Sequence, residues 1–193
     1  MGDVQQVTNP RDTKAAIHRA ALDLFSAQGY EKTSLREIAE QVGITKASLY
    51  YHYKSKQELL RAIIGTFLDD AREVMVRIEG LEWSPEAERD VLSAYLDVTI
   101  KHRTIGPSLM RDIGAILAAF DEDLEGILAM SRGFQLWLGG INPTNADRLR
   151  AMAAIEVLGA AMSVDLPPGE EVDAEIHATL LDAALAVLAR RDV

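Results

Sequence analysis

The densest set of groups able to do chemistry lies between residues 33 and 56: Thr33, Ser34, Thr45, Lys46, Ser48, Tyr50, Tyr51, His52, Lys54 and Lys56. Hydroxyls and ammonium groups donate hydrogen bonds, so such a cluster suits phosphate oxygens and the polar edges of bases, while a threonine methyl can pack on thymine. Catalytic patterns are missing. There is no GxSxG elbow, no GxxxxGK[ST] loop and no HExxH pair. The four histidines, His18, His52, His102 and His177, are widely separated, and none follows a glutamate by three residues as in di-iron bundles. Glu175 and His177 are two apart, which on a helix directs them to different faces. With no cysteine, disulfides, thiolate zinc sites and thiol nucleophiles are excluded. No metal or cofactor is expected.

The elements that must position the cluster are legible from punctuation. Asn9 and Pro10 read as cap and first residue of a helix whose apolar positions are Ile17, Ala20, Ala21, Leu24 and Phe25, closed by Gly29. Ser34-Leu35-Arg36-Glu37 is a capping box that opens a second helix running to Gly43. Thr45 caps a third, carrying Lys46 to about Tyr51. The box Ser55-Lys56-Gln57-Glu58 opens a long fourth helix. Two short helices joined by a glycine turn, Leu35 to Tyr51, have helix-turn-helix anatomy, with Ala39 small at the crossing and Ile38, Val42, Ile44 and Leu49 as the core beneath.

Punctuation beyond Gly80 continues to mark helices. Starts are read at Ser84-Pro85, after Gly106-Pro107, at Asp121 to Asp123, at Asn142-Pro143 and after Pro167-Pro168-Gly169, with Gly139-Gly140 as a stop. No segment alternates like a strand. The fold expected is all-α, with about nine helices, divided into an arm at 1–9 expected to be disordered, a helix-turn-helix domain at 10–54 and a helical domain at 55–193.

Charge separates the same parts. The chain has a net charge of -10 over 193 residues, yet residues 1–56 hold eight Lys and Arg against six Asp and Glu, leaving the remainder strongly acidic. Only the first part suits a polyanion, and the acidic remainder would repel it. No apolar run reaches membrane-spanning length, and the first nine residues lack the basic start and apolar stretch of a secretory signal, so a cytoplasmic protein without a membrane partner is expected.

Residues 17–60 resemble the TetR family of bacterial repressors. The pattern includes Phe25, Gly29-Tyr30, Thr33-Ser34, Ile38-Ala39, Val42-Gly43-Ile44, Ser48-Leu49-Tyr50, His52-Tyr53 and Lys56 through Leu59, with Tyr53 where phenylalanine is more usual. The rest of the chain is similar only in being helical and of suitable length. The resemblance implies major-groove contacts from Thr45, Lys46 and Tyr50, and phosphate contacts from Thr33, Ser34, Tyr51, His52, Lys54 and Lys56. Tyr50 could equally pack on the first helix, His52 could cap or pack, and Lys54 and Lys56 could be solvated charges.

By the same analogy, Phe67, Trp83, Tyr95, His102, Met110, Phe120, Met130, Phe134 and Trp137 are candidates to line a cavity for a largely apolar small-molecule effector. Any one of them reads more readily as core, and Arg103, Arg111 and Gln135 are further polar candidates. The last two helices are rich in small and aliphatic residues. The family pairs them with their twins in a four-helix homodimer interface, which makes Leu149, Met152, Leu158, Gly159, Met162, Ile176, Leu180, Ala184 and Val187 the dimer candidates; an internal core is the alternative. The implied function is a ligand-responsive transcriptional repressor that releases a palindromic operator, with the fourth helix as lever. A DNA-binding protein without effector, or an activator, is the alternative, and a helical-bundle enzyme comes third.

Overall fold

A computed structural model describes residues 10–107, 112–163, 166–167 and 169–189, and these are helical with no strand among them. The arm at 1–9 and the candidates Met110 and Arg111 lie outside the described residues. Nine α-helices are described: α1 Pro10–Gln28, α2 Leu35–Val42, α3 Lys46–His52, α4 Lys56–Ile78, α5 Pro85–Lys101, α6 Ile113–Ala119, α7 Leu124–Leu138, α8 Asn145–Gly159 and α9 Glu170–Leu188. Short 3-10 turns occupy Arg103–Ile105, Asp121–Asp123 and Ala160–Met162.

The chain forms two compact units. One comprises the described residues up to Ile64 together with Pro107–Asp121; the other comprises Gly65–Gly106 and the residues from Glu122 onward. This partition differs from a single cut at 54/55: α4 contributes to both units, and α6 packs with the N-terminal helices although it follows α5 in sequence.

In the first unit, Ile17, Ala21 and Phe25 of α1, Leu35, Ile38 and Ala39 of α2, Leu49 of α3 and Leu59, Leu60 and Ile63 of α4 are buried. Their removal from water is the main favourable term holding these helices together. Segment 107–121 is tied to this unit at both ends. Asp112 Oδ2 accepts the Tyr30 backbone N–H at 2.8 Å. At the other end, Gln57 Nε2 and Arg61 Nη1 donate to the carbonyls of Ala118 and Ala119, at 3.1 and 2.9 Å, satisfying orphan acceptors of the α6 C-terminus. The Arg61 guanidinium also covers the buried Phe120 ring, 5.4 Å from its centroid.

The second unit is built on α9, which packs against α8 and α5. Its core joins Val74, Met75 and Ile78 of α4 to Val91, Leu92 and Leu96 of α5, Phe134 and Leu138 of α7, Ala151, Ala154 and Leu158 of α8, and Ile176, Leu181, Ala184 and Leu188 of α9. Alanines on the facing sides of α8 and α9 let the two helices approach closely.

Two helix starts differ from the sequence expectation. Asn142 adopts φ 53, and α8 begins only after Thr144, which exchanges side-chain and backbone hydrogen bonds with Asp147 in a capping box. At α4, the Glu58 N–H donates to Ser55 Oγ at 3.0 Å, but the Glu58 carboxylate accepts from the Lys54 N–H, one residue earlier than a regular box requires.

Candidate nucleic-acid interface

The α2–turn–α3 unit is held by its caps. Ser34 Oγ accepts the Glu37 N–H at 3.2 Å while Glu37 Oε2 accepts the Ser34 N–H at 2.7 Å. The hydrogen bonds from the Ser34 hydroxyl and then its backbone hold the Glu37 carboxyl below its ordinary value of 4.5. Gly43 then turns the chain at φ 76, a left-handed conformation costly for side chains with a Cβ, and the Ile44 N–H closes on the Ala39 carbonyl at 3.0 Å. Thr45 Oγ1 accepts the Ser48 N–H at 3.0 Å and starts α3.

Replacing Ser34 with alanine is therefore expected to cost about 1 kcal/mol of stability at neutral pH, as measured by urea unfolding. Because Glu37 titrates lower when folded, its share is present above pH 4.5 and is lost as pH falls through its depressed pKa. The difference between the two proteins should narrow in acid.

On α3, Leu49 is fully buried, and the functional candidates lie around it on the rest of the helix. Thr45, Lys46, Tyr50, Tyr51 and Lys54 are exposed, Tyr51 at 80%, while Ser48 and His52 are half-buried. The Lys46 ammonium stands 5.5 Å from the Tyr50 ring centroid, and Lys54 Nζ donates to the Tyr50 carbonyl at 3.1 Å. The His52 ring meets the Tyr51 ring edge-on at 5.4 Å.

Tyr53, the departure from the more usual phenylalanine, caps α3 and pairs its hydroxyl with His18 Nε2 at 2.6 Å. Burial, and then the Lys14 charge, lower the His18 pKa, so this imidazole is neutral at physiological pH and bridges α1 to the end of α3. Sequence reasoning passed over the pair because 35 residues separate its members.

Two phosphate candidates are engaged by backbone carbonyls, Thr33 buried and Lys56 half-buried. Thr33 is 2% exposed, and its hydroxyl donates to the Gly29 carbonyl at 2.8 Å. Lys56 donates to the carbonyls of Tyr30 and Glu31, at 2.5 and 3.2 Å, with its ammonium 4.2 Å from the Tyr30 ring centroid. These bonds shape the turn between α1 and α2. Ser34 remains exposed.

The aromatic candidates of the second unit do not converge on one cavity. Met130, Phe134 and Trp137 line a groove of about 530 Å³ between α4 and α7, shared with Arg72, Met75, Val76, Ile78, Glu79, Ala129 and Gly133. Tyr95 packs behind it, its ring 5.2 Å from Phe134. The others lie elsewhere. Phe67 meets His102 edge-on, and His102 Nε2 lies 2.6 Å from Asp70 Oδ2. Trp83 donates to Glu88, and Phe120 belongs to the first unit. Of the polar candidates, Arg103 donates to the Leu166 and Pro167 carbonyls, and Gln135 reaches Ser131.

Among the dimer candidates, Leu158, Ile176 and Ala184 are core residues of the second unit itself, and Gly159, Met162, Leu180 and Val187 are half-buried. Leu149 and Met152 are exposed, at 62% and 46%. Ala153 and Glu156 of α8 and Glu175, Ala178, Thr179, Asp182, Ala183 and Ala186 of α9 are exposed as well.

Capped short helices, the left-handed glycine between them and a polar outer side on the second define a helix-turn-helix protein. Residues 17–63 match the family model described as bacterial regulatory proteins, tetR family. The chain is 36% identical over 81 residues to an uncharacterized HTH-type transcriptional regulator, YezE, of Bacillus subtilis, covering 42% of this chain and 41% of the relative. It is 33% identical over 89 residues to the HTH-type transcriptional repressor KstR2 of Rhodococcus jostii, covering 44% and 43%. These matches span about two fifths of the curated relatives. Over this N-terminal region the chain is similar to the tetR family.

The fold is shared over a longer stretch. A transcriptional regulator structure from Aquifex aeolicus superposes with a TM-score of 0.67 at 18% identity, covering 91% of this chain and 99% of that one. The structure of AibR in complex with isovaleryl coenzyme A and operator DNA gives 0.58 at 23%, covering 89% and 97%.

Proposed function

We propose that this chain is a transcriptional repressor, and not an enzyme, that binds a palindromic operator as a cytoplasmic homodimer and releases it on binding a small molecule. The observation that carries the reading is the outer side of α3, where Lys46, Tyr50 and Tyr51 stand exposed on a helix fixed by caps at both ends. Thr45, Lys46, Ser48 and Tyr50 meet base edges, and Ser34, Tyr51, His52 and Lys54 meet phosphates. The repressor sense is supported by the printed names of relatives, KstR2 among them and the negative transcriptional regulator IcaR of Staphylococcus epidermidis.

Ligand response is supported by the groove along Met130, Phe134 and Trp137, whose size suits a small molecule and whose walls are largely apolar. AibR was crystallised with both a coenzyme A ester and operator DNA. The exposed side of α8 and α9, with Leu149, Met152 and small neighbours, is the surface assigned to the second copy. Helix α4, which contributes to both units, is the element through which an occupied groove shifts the population away from the operator-binding conformation.

Selection of duplexes from a random pool with the full chain is expected to enrich a palindrome whose affinity falls steeply with salt, despite the acidic net charge. A panel of apolar small molecules should contain one that raises thermal stability and weakens that complex together. Failure to enrich any sequence, or a flat salt response, overturns DNA binding. A molecule that stabilises the chain and leaves operator affinity unchanged overturns the ligand switch.

A further inference from the structure

Helix geometry sharpens what α3 can read. The fully buried Leu49 fixes the inward direction of the helix. At about 100° per residue, side chains two positions away on either side stand about 160° from it and straddle the outward pole. Those residues are Ala47 and Tyr51, both exposed, with Ala47 one turn nearer the start of α3. By the same rule Lys46 stands about 60° and Tyr50 about 100° from Leu49, so neither occupies this pole; the Lys46 ammonium leans toward the Tyr50 ring, while Lys54 folds back onto the Tyr50 carbonyl. The group projecting straight outward from the first turn is thus a bare methyl, between neighbours that carry hydroxyls and an ammonium group.

A methyl neither donates nor accepts a hydrogen bond. Pressed against the major-groove edge of guanine, adenine or cytosine, it would strip water from a polar group and offer no partner. Thymine differs, because its C5 methyl is the one apolar feature any base presents in that groove. We infer that Ala47 is a specificity-determining residue, and that each operator half-site carries a thymine whose C5 methyl packs on the Ala47 methyl. This rests on the DNA-binding reading above and assigns a base preference to a residue that the family resemblance left without a role. The small side chain also lets α3 approach the groove floor closely enough for Lys46 and Tyr50 to reach neighbouring bases.

The test is a cycle between a protein methyl and a DNA methyl. Duplexes are first selected with the full wild-type chain, and each thymine of the half-site is then exchanged for deoxyuridine, which keeps the pairing and removes only the methyl. One position per half-site is expected at which the exchange weakens wild-type binding about three- to tenfold, the scale of one buried methyl contact. At that position Ala47→Gly should bind the thymine and uracil duplexes equally. Ala47→Ser, which avoids the cost of a helical glycine, should show a reduced difference. A wild-type chain indifferent to uracil at every thymine overturns the inference, as does a penalty that persists undiminished in both variants. If no duplex is enriched in the first step, the DNA-binding reading falls, and this assignment with it.

Discussion

Gly106→Ala is expected to destabilise the protein by about 3 kcal/mol or more, lowering the Tm of a chain of this size by about 6–12 °C. A Cβ built on Gly106 lies 1.6 Å from the Met162 carbonyl oxygen, 2.6 Å from its carbonyl carbon and 3.1 Å from its Cα. All three contacts are backbone, so no rotamer change relieves them. Either the 3-10 turn at Ala160–Met162 moves, taking the buried Ala161 with it, or the chain leaving α5 is displaced. The comparison variant is Gly65→Ala in α4, where an added Cβ meets nothing within 4 Å and alanine is the better helix former, so stability should hold or rise. Differential scanning calorimetry of the two variants separates a close-approach requirement from a general intolerance of glycine replacement. Equal Tm values for Gly106→Ala and wild type would show that the two segments part readily.

The second large effect concerns function. Lys46→Ala and Tyr50→Ala should each weaken specific operator binding about fivefold to 150-fold, because a base contact is worth about 1–3 kcal/mol, and the double variant should lose specific retention in gel-shift titrations. Helical content should not change, since Lys46 is exposed and Tyr50 is 38% exposed. Lys56→Ala supplies the contrast. Its ammonium is engaged with the Tyr30 and Glu31 carbonyls, so its loss should appear as lower stability and only indirectly as weaker binding. Unaltered affinity in both the Lys46 and Tyr50 variants would remove α3 from the interface.

How much of this was legible depended on whether the deciding interaction was local. Ser34 with Glu37, Gly43, Thr45 and Ser84 with Pro85 act within four residues, and the structure places caps and turns at each of them. At Asn142-Pro143 the dipeptide imitated a helix start. The true signal was Thr144 with Asp147 two residues later, because Asn142 is spent on a left-handed turn.

Tertiary choices were not legible in the same way. The sequence shows a hydroxyl at Thr33 and an ammonium at Lys56 but not that they bond the Gly29 and Tyr30 carbonyls. On α8 and α9, apolar residues occur around much of each helix, so residue type could not tell Leu158, Ile176 and Ala184, which face inward, from Leu149 and Met152, which face out. Met130, Phe134 and Trp137 share one groove, whereas its other wall, Arg72 and Val76 of α4 with the adjoining Glu79, carries no aromatic signal in the sequence.

The ties from Tyr30, Gln57 and Arg61 to residues 112–119 bear on how such regulators could be recombined. A reader head cut from this chain after Ile64 and grafted onto another sensor would leave behind the Asp112 partner of Tyr30 and the carbonyls that Gln57 and Arg61 satisfy. It would also bare the seat of Phe120. A transplantable cassette therefore needs two pieces of polypeptide, and a successful chimera must exchange residues 107–121 along with the first 64.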